Sequence, residues 1–237
     1  MTFGGKAFQF HQQLIYNGDP LPPGIGIMNP FIEYPDTVSI VRTFFSRYFG
    51  DNHERHLILG INPSRLGAGL TGIPFTDPKR LISELGIPYA GKMAHEPSST
   101  FVYEMIREFG GVELFYRHFY INSPCPLGFT SISKKGKTIN YNYYDSLALT
   151  NAATPFMINS LRQLKSFGIN SERAFVLGTG KNAAFLQKMN AQHRFFKTLI
   201  PLEHPRYIMQ YKNPLKGQYI SKYISSFQSI MSKDYTN

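Results

Sequence analysis

Leu57-Ile58-Leu59-Gly60-Ile61-Asn62-Pro63, followed directly by a glycine loop, decides the fold of this chain. A short apolar run that ends in Gly-Ile-Asn-Pro predicts a buried strand that delivers the Asn62 side chain to its carboxyl end. Open α/β sheets bind their ligands at that end of their strands. The loop, Ser64-Arg65-Leu66-Gly67-Ala68-Gly69-Leu70-Thr71-Gly72-Ile73-Pro74-Phe75, allows backbone to approach a bound group closely and returns to an aromatic ring that can cover a planar one. Together these features predict a pocket for a planar base.

Further strand and helix patterns alternate along the chain. Short apolar strands are predicted at residues 119–123, 174–177 and 198–202. Helices are predicted from an N-cap at Asp36 to Gly50, from Asp77-Pro78 to Gly86, over 99–109, from Thr154-Pro155 to Phe167, and through the apolar positions of 220–230. This alternation predicts a three-layer α/β/α fold, in which helices cover both faces of a central, mainly parallel sheet of four strands.

Two segments predict less regular structure. Residues 1–35, rich in Gly, Pro and aromatic side chains, read as an irregular packed arm of a single domain that spans 1–237. Residues 131–145, which include Lys134, Lys135 and Lys137, read as a polar loop. A solvated loop is the commoner explanation of such a segment, and contact with phosphate is the alternative.

Gly178-Thr179-Gly180-Lys181 resembles part of a phosphate-binding loop. That motif requires glycine where Phe175 stands and Ser or Thr where Asn182 stands, so the sequence does not fit it. The glycines instead predict a turn from strand to helix, and an anion at the helix N-terminus stays an alternative.

The composition narrows the class of protein. Lys and Arg number 25 against 15 Asp and Glu, a net charge of +10 that suits either a phosphate-binding surface or a generally basic protein. Cys125 is the only cysteine, which excludes an internal disulfide and a cysteine-based zinc cluster. Because the sequence has neither a secretion signal nor an apolar run of about 18 residues, we expect an intracellular protein, cytoplasmic or associated with the nucleoid, with no membrane partner. We also expect a monomer.

Three of the predicted strands run into a polar side chain: Asn62, Asn122 and His204. An asparagine amide both donates and accepts, so it can pair with the edge of a base and reject a base that leaves it unpaired. A histidine can donate to an oxygen that gains negative charge as a base departs. Asn before Pro is also a common turn residue, and a single His is more often structural, so the set carries more weight than its members.

These residues fall within motifs of a known family. The motifs are Gly60-Ile61-Asn62-Pro63, Thr71-Gly72-Ile73-Pro74-Phe75, Phe119-Tyr120-Ile121-Asn122 before Cys125-Pro126-Leu127, and His204-Pro205-Arg206. In order and spacing they resemble those of the single-strand-selective monofunctional uracil-DNA glycosylases, within the uracil-DNA glycosylase superfamily, from about residue 28 into the final helix. The resemblance implies the fold of that superfamily and a monofunctional enzyme without a metal or other cofactor. Such an enzyme flips uracil or a related deaminated or oxidised base out of single- or double-stranded DNA and excises it, initiating base excision repair.

The resemblance also assigns roles to individual residues. Asn62 would hold the attacking water, and His204 would stabilise the departing base. Phe75 would stack on the extruded base, Asn122 would read its edge, and Ile61 would line the same pocket. Because an amide cannot take a proton as a carboxylate does, stabilisation of the leaving base is expected to carry most of the catalysis.

The sequence departs from the family pattern at three places. Ser64 replaces a glycine beside the pocket and adds a hydroxyl near the substituents of the base. The second motif has one residue more than usual, which makes Ser123 a rival for the base-reading position. The third motif lacks a Ser-Pro pair, so a reshaped wedge is expected to bring Arg206 and Tyr207 to the DNA. Lys212 would contact phosphate, although an ordinary surface lysine is an equal alternative.

Two other functions fit the same sequence. One is a catalytically silent binder of damaged DNA, in which the altered motifs have cost activity. The other is an α/β enzyme that acts on free nucleosides or nucleotides and needs no DNA wedge. The matched motifs contain no lysine that would form a Schiff base with the sugar, which argues against strand cleavage.

Overall fold

The computed structural model describes residues 1–234, with side chains described to residue 231, so residues 235–237 of the predicted single domain lie outside the described residues. In chain order the strands are β1 (Ile25–Met28), β2 (Arg55–Leu59), β3 (Phe119–Asn122), β4 (Gly128–Ile132), β5 (Thr138–Tyr141), β6 (Ile169–Leu177) and β7 (Thr198–Leu202). The helices are α1 (Phe3–Gln12), α2 (Pro30–Glu33), α3 (Pro35–Tyr48), α4 (Ala68–Thr71), α5 (Pro78–Ser83), α6 (Pro97–Phe109), α7 (Val112–His118), α8 (Leu147–Lys165), α9 (Lys181–His193), α10 (Pro205–Tyr211) and α11 (Lys216–Asp234). A 3-10 turn at Asn213–Leu215 joins the last two.

The apolar run before Asn62 forms β2, which is buried along its whole length at the centre of the main sheet. The sheet has the order β3-β2-β6-β7, and all of its neighbouring strands are parallel. Parallel strands need cover on both faces, which explains why β2 is a continuous apolar run rather than an alternating one. The predicted sheet of four strands is therefore confirmed.

Aromatic side chains show that helices cover both faces of this sheet. Phe119 and Tyr120 are neighbours on β3, so their side chains point to opposite faces. The rings that they contact are Phe3, Phe49 and Phe167 on the Tyr120 face, and Phe109, Phe115 and Phe227 on the Phe119 face. One face is thus covered by α1 and the ends of α3 and α8, and the other by α6, α7 and α11. The predicted α/β/α layering is confirmed.

The N-terminal segment is only partly irregular. Residues 1–35 contain α1, β1 and α2, and Phe3 and Ala7 of α1 are fully buried, whereas residues 13–24 form neither helix nor strand. Gly4, which weakens an isolated helix, is explained by packing, because a Cβ there would lie 2.6 Å from the Phe45 carbonyl oxygen and 2.7 Å from that of Phe49. The prediction of an irregular arm is therefore wrong for α1, β1 and α2, and this glycine permits the close approach of α1 to α3.

The predicted polar loop at 131–145 is largely a β-hairpin. β4 and β5 pair antiparallel and turn through Gly136, whose φ is +71°, and β1 adds to the other edge of β4. Lys134, Lys135 and Lys137, on which the prediction of a loop rested, lie at the turn of the hairpin. These three strands form a second sheet, of order β1-β4-β5, in addition to the predicted sheet of four strands. It forms a wall of the candidate site.

Two helices, α3 and α8, begin at residues other than the predicted ones, and a proline lies at or near each predicted start. Pro155 lies inside α8, which begins eight residues earlier behind a Ser146 N-cap, whose Oγ accepts the Leu149 N–H at 3.2 Å. α3 begins at Pro35, so Asp36 is not its N-cap. Asp77 is the N-cap of α5 as predicted. No helix within residues 1–234 is both long and apolar enough to cross a lipid bilayer.

Candidate active site

The carboxyl ends of the parallel strands open into a cavity of about 1010 Å³. It is lined by all of the predicted site residues except Lys212: Ile61, Asn62, Ser64, Phe75, Asn122, Ser123, His204, Arg206 and Tyr207. Lys212 lies at the C-cap of α10, outside the lining. The convergence predicted for Asn62, Asn122 and His204 is therefore present in the fold.

Backbone groups hold the Asn62 amide in one orientation. Its Nδ2 donates to the Tyr141 carbonyl oxygen at 3.2 Å, and its Oδ1 accepts the Tyr143 N–H at 3.2 Å. A carbonyl oxygen has two lone pairs, so one remains to accept a hydrogen from water. The side chain can therefore position a water molecule, but an amide does not remove its proton.

His204 is the N-cap of α10, and this fixes the positions of its protons. Its Nδ1 accepts the Arg206 N–H at 3.1 Å, with Pro205 at the first helical position. Burial, and after it the positive charge of Arg206, lowers the pKa of His204 from 6.5 to about 4. The imidazole is therefore neutral at pH 7, and because Nδ1 is an acceptor, the proton is on Nε2. His204 offers the cavity an N–H donor without a positive charge.

Phe75 is held beside His204 in an uncommon backbone conformation. Its φ of +53° is left-handed, which costs a residue other than glycine roughly 1–2 kcal/mol. The two rings lie 5.7 Å apart at 49°. Gly60 makes room for this arrangement, because a Cβ there would lie 3.3 Å from Cε2 of Phe75 and 3.2 Å from Oγ of Ser123. In this conformation the Phe75 ring lines the cavity.

The Asn122 side chain already makes hydrogen bonds within the protein, and Ser123 lies beside it. Asn122 is 2 % exposed, its Nδ2 donates to the Tyr120 hydroxyl at 2.7 Å, and its Oδ1 accepts the Ser123 N–H at 2.7 Å. The amide orientation is thus fixed, with one N–H and one lone pair left over. The Ser123 side chain is also buried and lines the same cavity.

Two glycines of the loop after β2 make room for side chains of the protein itself. A Cβ at Gly67 would overlap the Glu96 carboxylate, and a Cβ at Gly69 would overlap the Met28 side chain and lie 2.7 Å from the Ser64 carbonyl oxygen. The expectation that these glycines bring backbone to a ligand is therefore wrong for these two positions. They allow a carboxylate and a thioether to pack beneath the loop.

Glu96 is a cavity residue that the sequence reasoning missed. Burial raises the pKa of its carboxyl group, and hydrogen bonds from the Ser64 and Ser99 hydroxyls partly oppose that rise. The Ser99 hydroxyl donates to Oε2 at 3.2 Å, and Asp77 holds the Glu96 N–H at 2.8 Å. Ser64, which replaces the family's glycine, therefore hydrogen-bonds to the Glu96 side chain. No motif pointed to this residue.

The hairpin supplies a wall of the cavity that was also missed. Asn140, Asn142 and Tyr144 line the cavity, and Asn140 Oδ1 accepts the Arg65 N–H at 2.9 Å, which joins β5 to the loop after β2. Burial and the neighbouring Asp145 raise the pKa of Tyr144 to about 12, so its hydroxyl keeps its proton. The reading of this segment as a loop hid these residues.

The mouth of the cavity carries an exposed aromatic pair. Tyr207 and Tyr211 stand one turn apart on α10, 43 % and 65 % exposed, with ring centroids 5.7 Å apart. Both line the cavity together with Arg206. Tyr211 was not predicted, although its spacing of four residues from Tyr207 was a usable signal once a helix was assigned there.

Other chemistry finds little support near this cavity. Burial raises the pKa of the Cys125 thiol to about 12, so it does not provide a thiolate nucleophile at neutral pH. Within residues 1–234, no three His, Cys, Asp or Glu side chains converge as a set of metal ligands would.

Comparisons with known proteins identify the relatives of this chain. The family model of the uracil DNA glycosylase superfamily matches residues 47–228. A crystal structure of the wild-type SMUG2 of Pedobacter heparinus is similar to this chain, with 59 % sequence identity, a TM-score of 0.96, and coverage of 98 % of this chain and 99 % of that one. A search of curated proteins finds no match. The chain therefore belongs to the uracil DNA glycosylase superfamily, in its SMUG family, and is a DNA glycosylase that hydrolyses N-glycosidic bonds.

Proposed function

We propose that this enzyme flips uracil, or a related deaminated or oxidised base, out of DNA into the cavity and hydrolyses its N-glycosidic bond, initiating base excision repair. The observation that carries the proposal is that His204 lines the same cavity as the fixed Asn62 amide while its Nδ1 accepts the Arg206 N–H, which leaves Nε2 as its donor. A leaving-group donor and a water holder are the two groups that such a hydrolysis requires.

The steps follow from the chemistry of the bond. A base within a duplex is out of reach, and flipping it out costs a few kcal/mol, least for a mispaired base. Stacking on Phe75 recovers part of that cost. As the glycosidic bond breaks, positive charge develops on the sugar and negative charge on the base. His204 donates its Nε2–H to the oxygen of the departing base, and the water held by Asn62 adds to the sugar and releases a proton to solvent.

Recognition of the base is assigned to three neighbouring side chains. Asn122 has one amide hydrogen and one lone pair left to read the base edge, and Ser123 provides a hydroxyl beside it. Ser64, backed by Glu96, faces the substituents that distinguish one damaged base from another. Comparing Asn122→Ala with Ser123→Ala on uracil identifies the reader, since the reader's loss reduces excision more.

DNA contact is assigned to α10. The pair Tyr207 and Tyr211 offers stacking surface at the cavity mouth, and base–aromatic stacking contributes about 1–3 kcal/mol per base. Arg206 and Lys212 supply positive charge for phosphates, in keeping with the net charge of +10. We propose that the enzyme acts as a monomer on the DNA inside the cell.

A single-turnover assay tests the proposal. Labelled single- and double-stranded oligonucleotides that carry uracil, 5-hydroxymethyluracil, xanthine or hypoxanthine are incubated with enzyme and then treated with alkali. Abasic product from an otherwise intact strand, lost in His204→Ala, supports the proposal. Tight retention without product would identify a silent damage binder, and hydrolysis of free nucleosides alone would identify a small-molecule enzyme.

The same assay tests whether the enzyme is monofunctional. Lys181 is exposed and lines the cavity. Strand cleavage before alkali, with an adduct trapped by borohydride and lost in Lys181→Ala, would replace hydrolysis alone by lyase chemistry through a Schiff base. We expect neither the cleavage nor the adduct.

A further inference from the structure

Asn182, the residue that breaks the phosphate-loop pattern, joins three parts of the fold. It is 2 % exposed, and its Nδ2 donates to the Leu177 carbonyl oxygen at 2.8 Å and to that of Gly60 at 3.3 Å. Its Oδ1 accepts the Tyr143 hydroxyl at 2.5 Å. The side chain thus ties the end of β6 to the turn after β2 and binds the segment that follows β5.

Tyr143 carries this connection to the site. Its ring is fully buried, and burial raises the pKa of its hydroxyl well above the usual value, so the hydroxyl stays a donor. At the other end of the same residue, the backbone N–H donates to Oδ1 of Asn62 at 3.2 Å. One residue therefore bonds to Asn182 by its side chain and to Asn62 by its main chain.

The connection matters because Asn62 and the two residues that hold its amide belong to different sheets. Asn62 follows β2 of the central sheet, whereas Tyr141 is the last residue of β5 and Tyr143 lies two residues beyond it. Within the described residues, no strand of one sheet pairs with a strand of the other. Side-chain bonds that cross between the two sheets therefore help to set the hairpin's distance from the strand ends, and the Tyr143–Asn182 bond is a buried one.

We propose that Asn182 and Tyr143 are positioning residues that act through Asn62, setting the direction in which its free lone pair meets the attacking water. This inference rests on the proposed hydrolysis for its effect on rate. The bond itself, and its effect on the Asn62 amide, do not depend on which base is excised.

The test is a double-mutant cycle on the single-turnover rate with a uracil oligonucleotide. Tyr143→Phe removes the hydroxyl and keeps the ring. We expect the excision rate to fall about tenfold while the dissociation constant for DNA stays within about twofold. In an Asn62→Ala background the same change should have less than about a twofold effect, because the residue acted upon is gone.

Tyr16→Phe is the matched control. Its hydroxyl also donates hydrogen bonds, here to the backbone carbonyl oxygens of Asp19 and Ala152 at 2.9 Å, and Tyr16 does not line the cavity. This variant should excise at the wild-type rate. An equal loss from Tyr143→Phe with and without Asn62, or no loss at all, would mean that the Tyr143–Asn182 bond has only a structural role.

A second readout separates this inference from the proposed function. The side-chain amide resonance of Asn62, assigned by its loss in Asn62→Ala, should shift in Tyr143→Phe and stay in place in Tyr16→Phe. If no base is excised by the wild type, the proposed function fails while a shifted resonance still supports the positioning. An unshifted resonance overturns the positioning whatever the activity.

Discussion

The protonation state of His204 leads to a prediction about how excision depends on pH. Burial and the charge of Arg206 lower its pKa to about 4, and Nδ1 already accepts a helix N–H. At pH 5 a group with this pKa is about 90 % neutral, whereas a histidine with the ordinary pKa of 6.5 is about 3 % neutral. The two cases differ by roughly thirtyfold in active enzyme, so we expect the excision rate to stay nearly flat from pH 8 to pH 5.

The assay is single-turnover excision of uracil at constant ionic strength, because salt alone changes DNA affinity steeply. The pKa of the cavity carboxyl of Glu96 is raised, so the profile is repeated in Glu96→Gln to remove that titration. The imidazole is followed in parallel by NMR, with its signal assigned by loss in His204→Ala. Arg206→Gln should raise the pKa of His204 yet leave it below 6.5, because burial is the larger cause.

Two results would refute this reasoning. A rate that falls with a midpoint near pH 6.5, matched by His204 titrating there, would show that burial does not lower its pKa as inferred. A rate that rises as the pH drops through that range would show that the charged imidazolium, rather than the neutral ring, is the donor.

Three further predictions concern single positions. His204→Ala should lose at least as much single-turnover activity as Asn62→Ala, since in the proposed mechanism leaving-group stabilisation carries most of the catalysis; a large Asn62 defect beside a nearly normal His204 variant would contradict this. Burial lowers the pKa of His11 to about 4, so the unfolded chain binds a proton below pH 6.5 that the folded chain does not, and stability falls from pH 6.5 towards 4. In urea melts His11→Phe should reduce that pH slope by about one proton, and an unchanged slope would count against the argument. Gly67→Ala should destabilise the fold by about 1–3 kcal/mol through its overlap with Glu96. Adding Glu96→Ala should restore part of that loss in the same melts, and no recovery would mean that another contact is responsible.

The central sheet was predictable because its information is local. β2 and β3 are buried along their whole length and so appear as short apolar runs, and a run that ends in a polar residue marks the edge of the sheet where ligands bind. Asn62, Asn122 and His204 were found in this way, and the structure brings them to one cavity. For these residues, a position at a strand end was enough.

The second sheet was not predictable in the same way because its pairing is distant. β1 pairs with β4 across about a hundred residues, with Ile25 opposite Ser131, and neither of these short strands is buried along its whole length. Glu96 and Asn182 were missed for a related reason. Their role depends on partners far along the chain, such as Gly60 for Asn182, and a buried polar side chain has no signature in sequence until its partners are known.

The site residues share one physical property that explains their arrangement. Asn62, Asn122 and His204 each accept a backbone N–H, from Tyr143, Ser123 and Arg206 in turn. Each of these hydrogen bonds occupies one lone pair of the side chain and fixes its orientation. The remaining hydrogen-bonding group then points in a defined direction: a lone pair on Asn62 and an N–H on His204. Groups that are already oriented do not have to reorganise when charge develops in the transition state. The saved reorganisation energy is a main source of electrostatic catalysis. Under the proposed mechanism the backbone segments that supply these donors contribute to catalysis together with the side chains, so a change that moves a donor should reduce the rate even where no side chain in contact with substrate is altered.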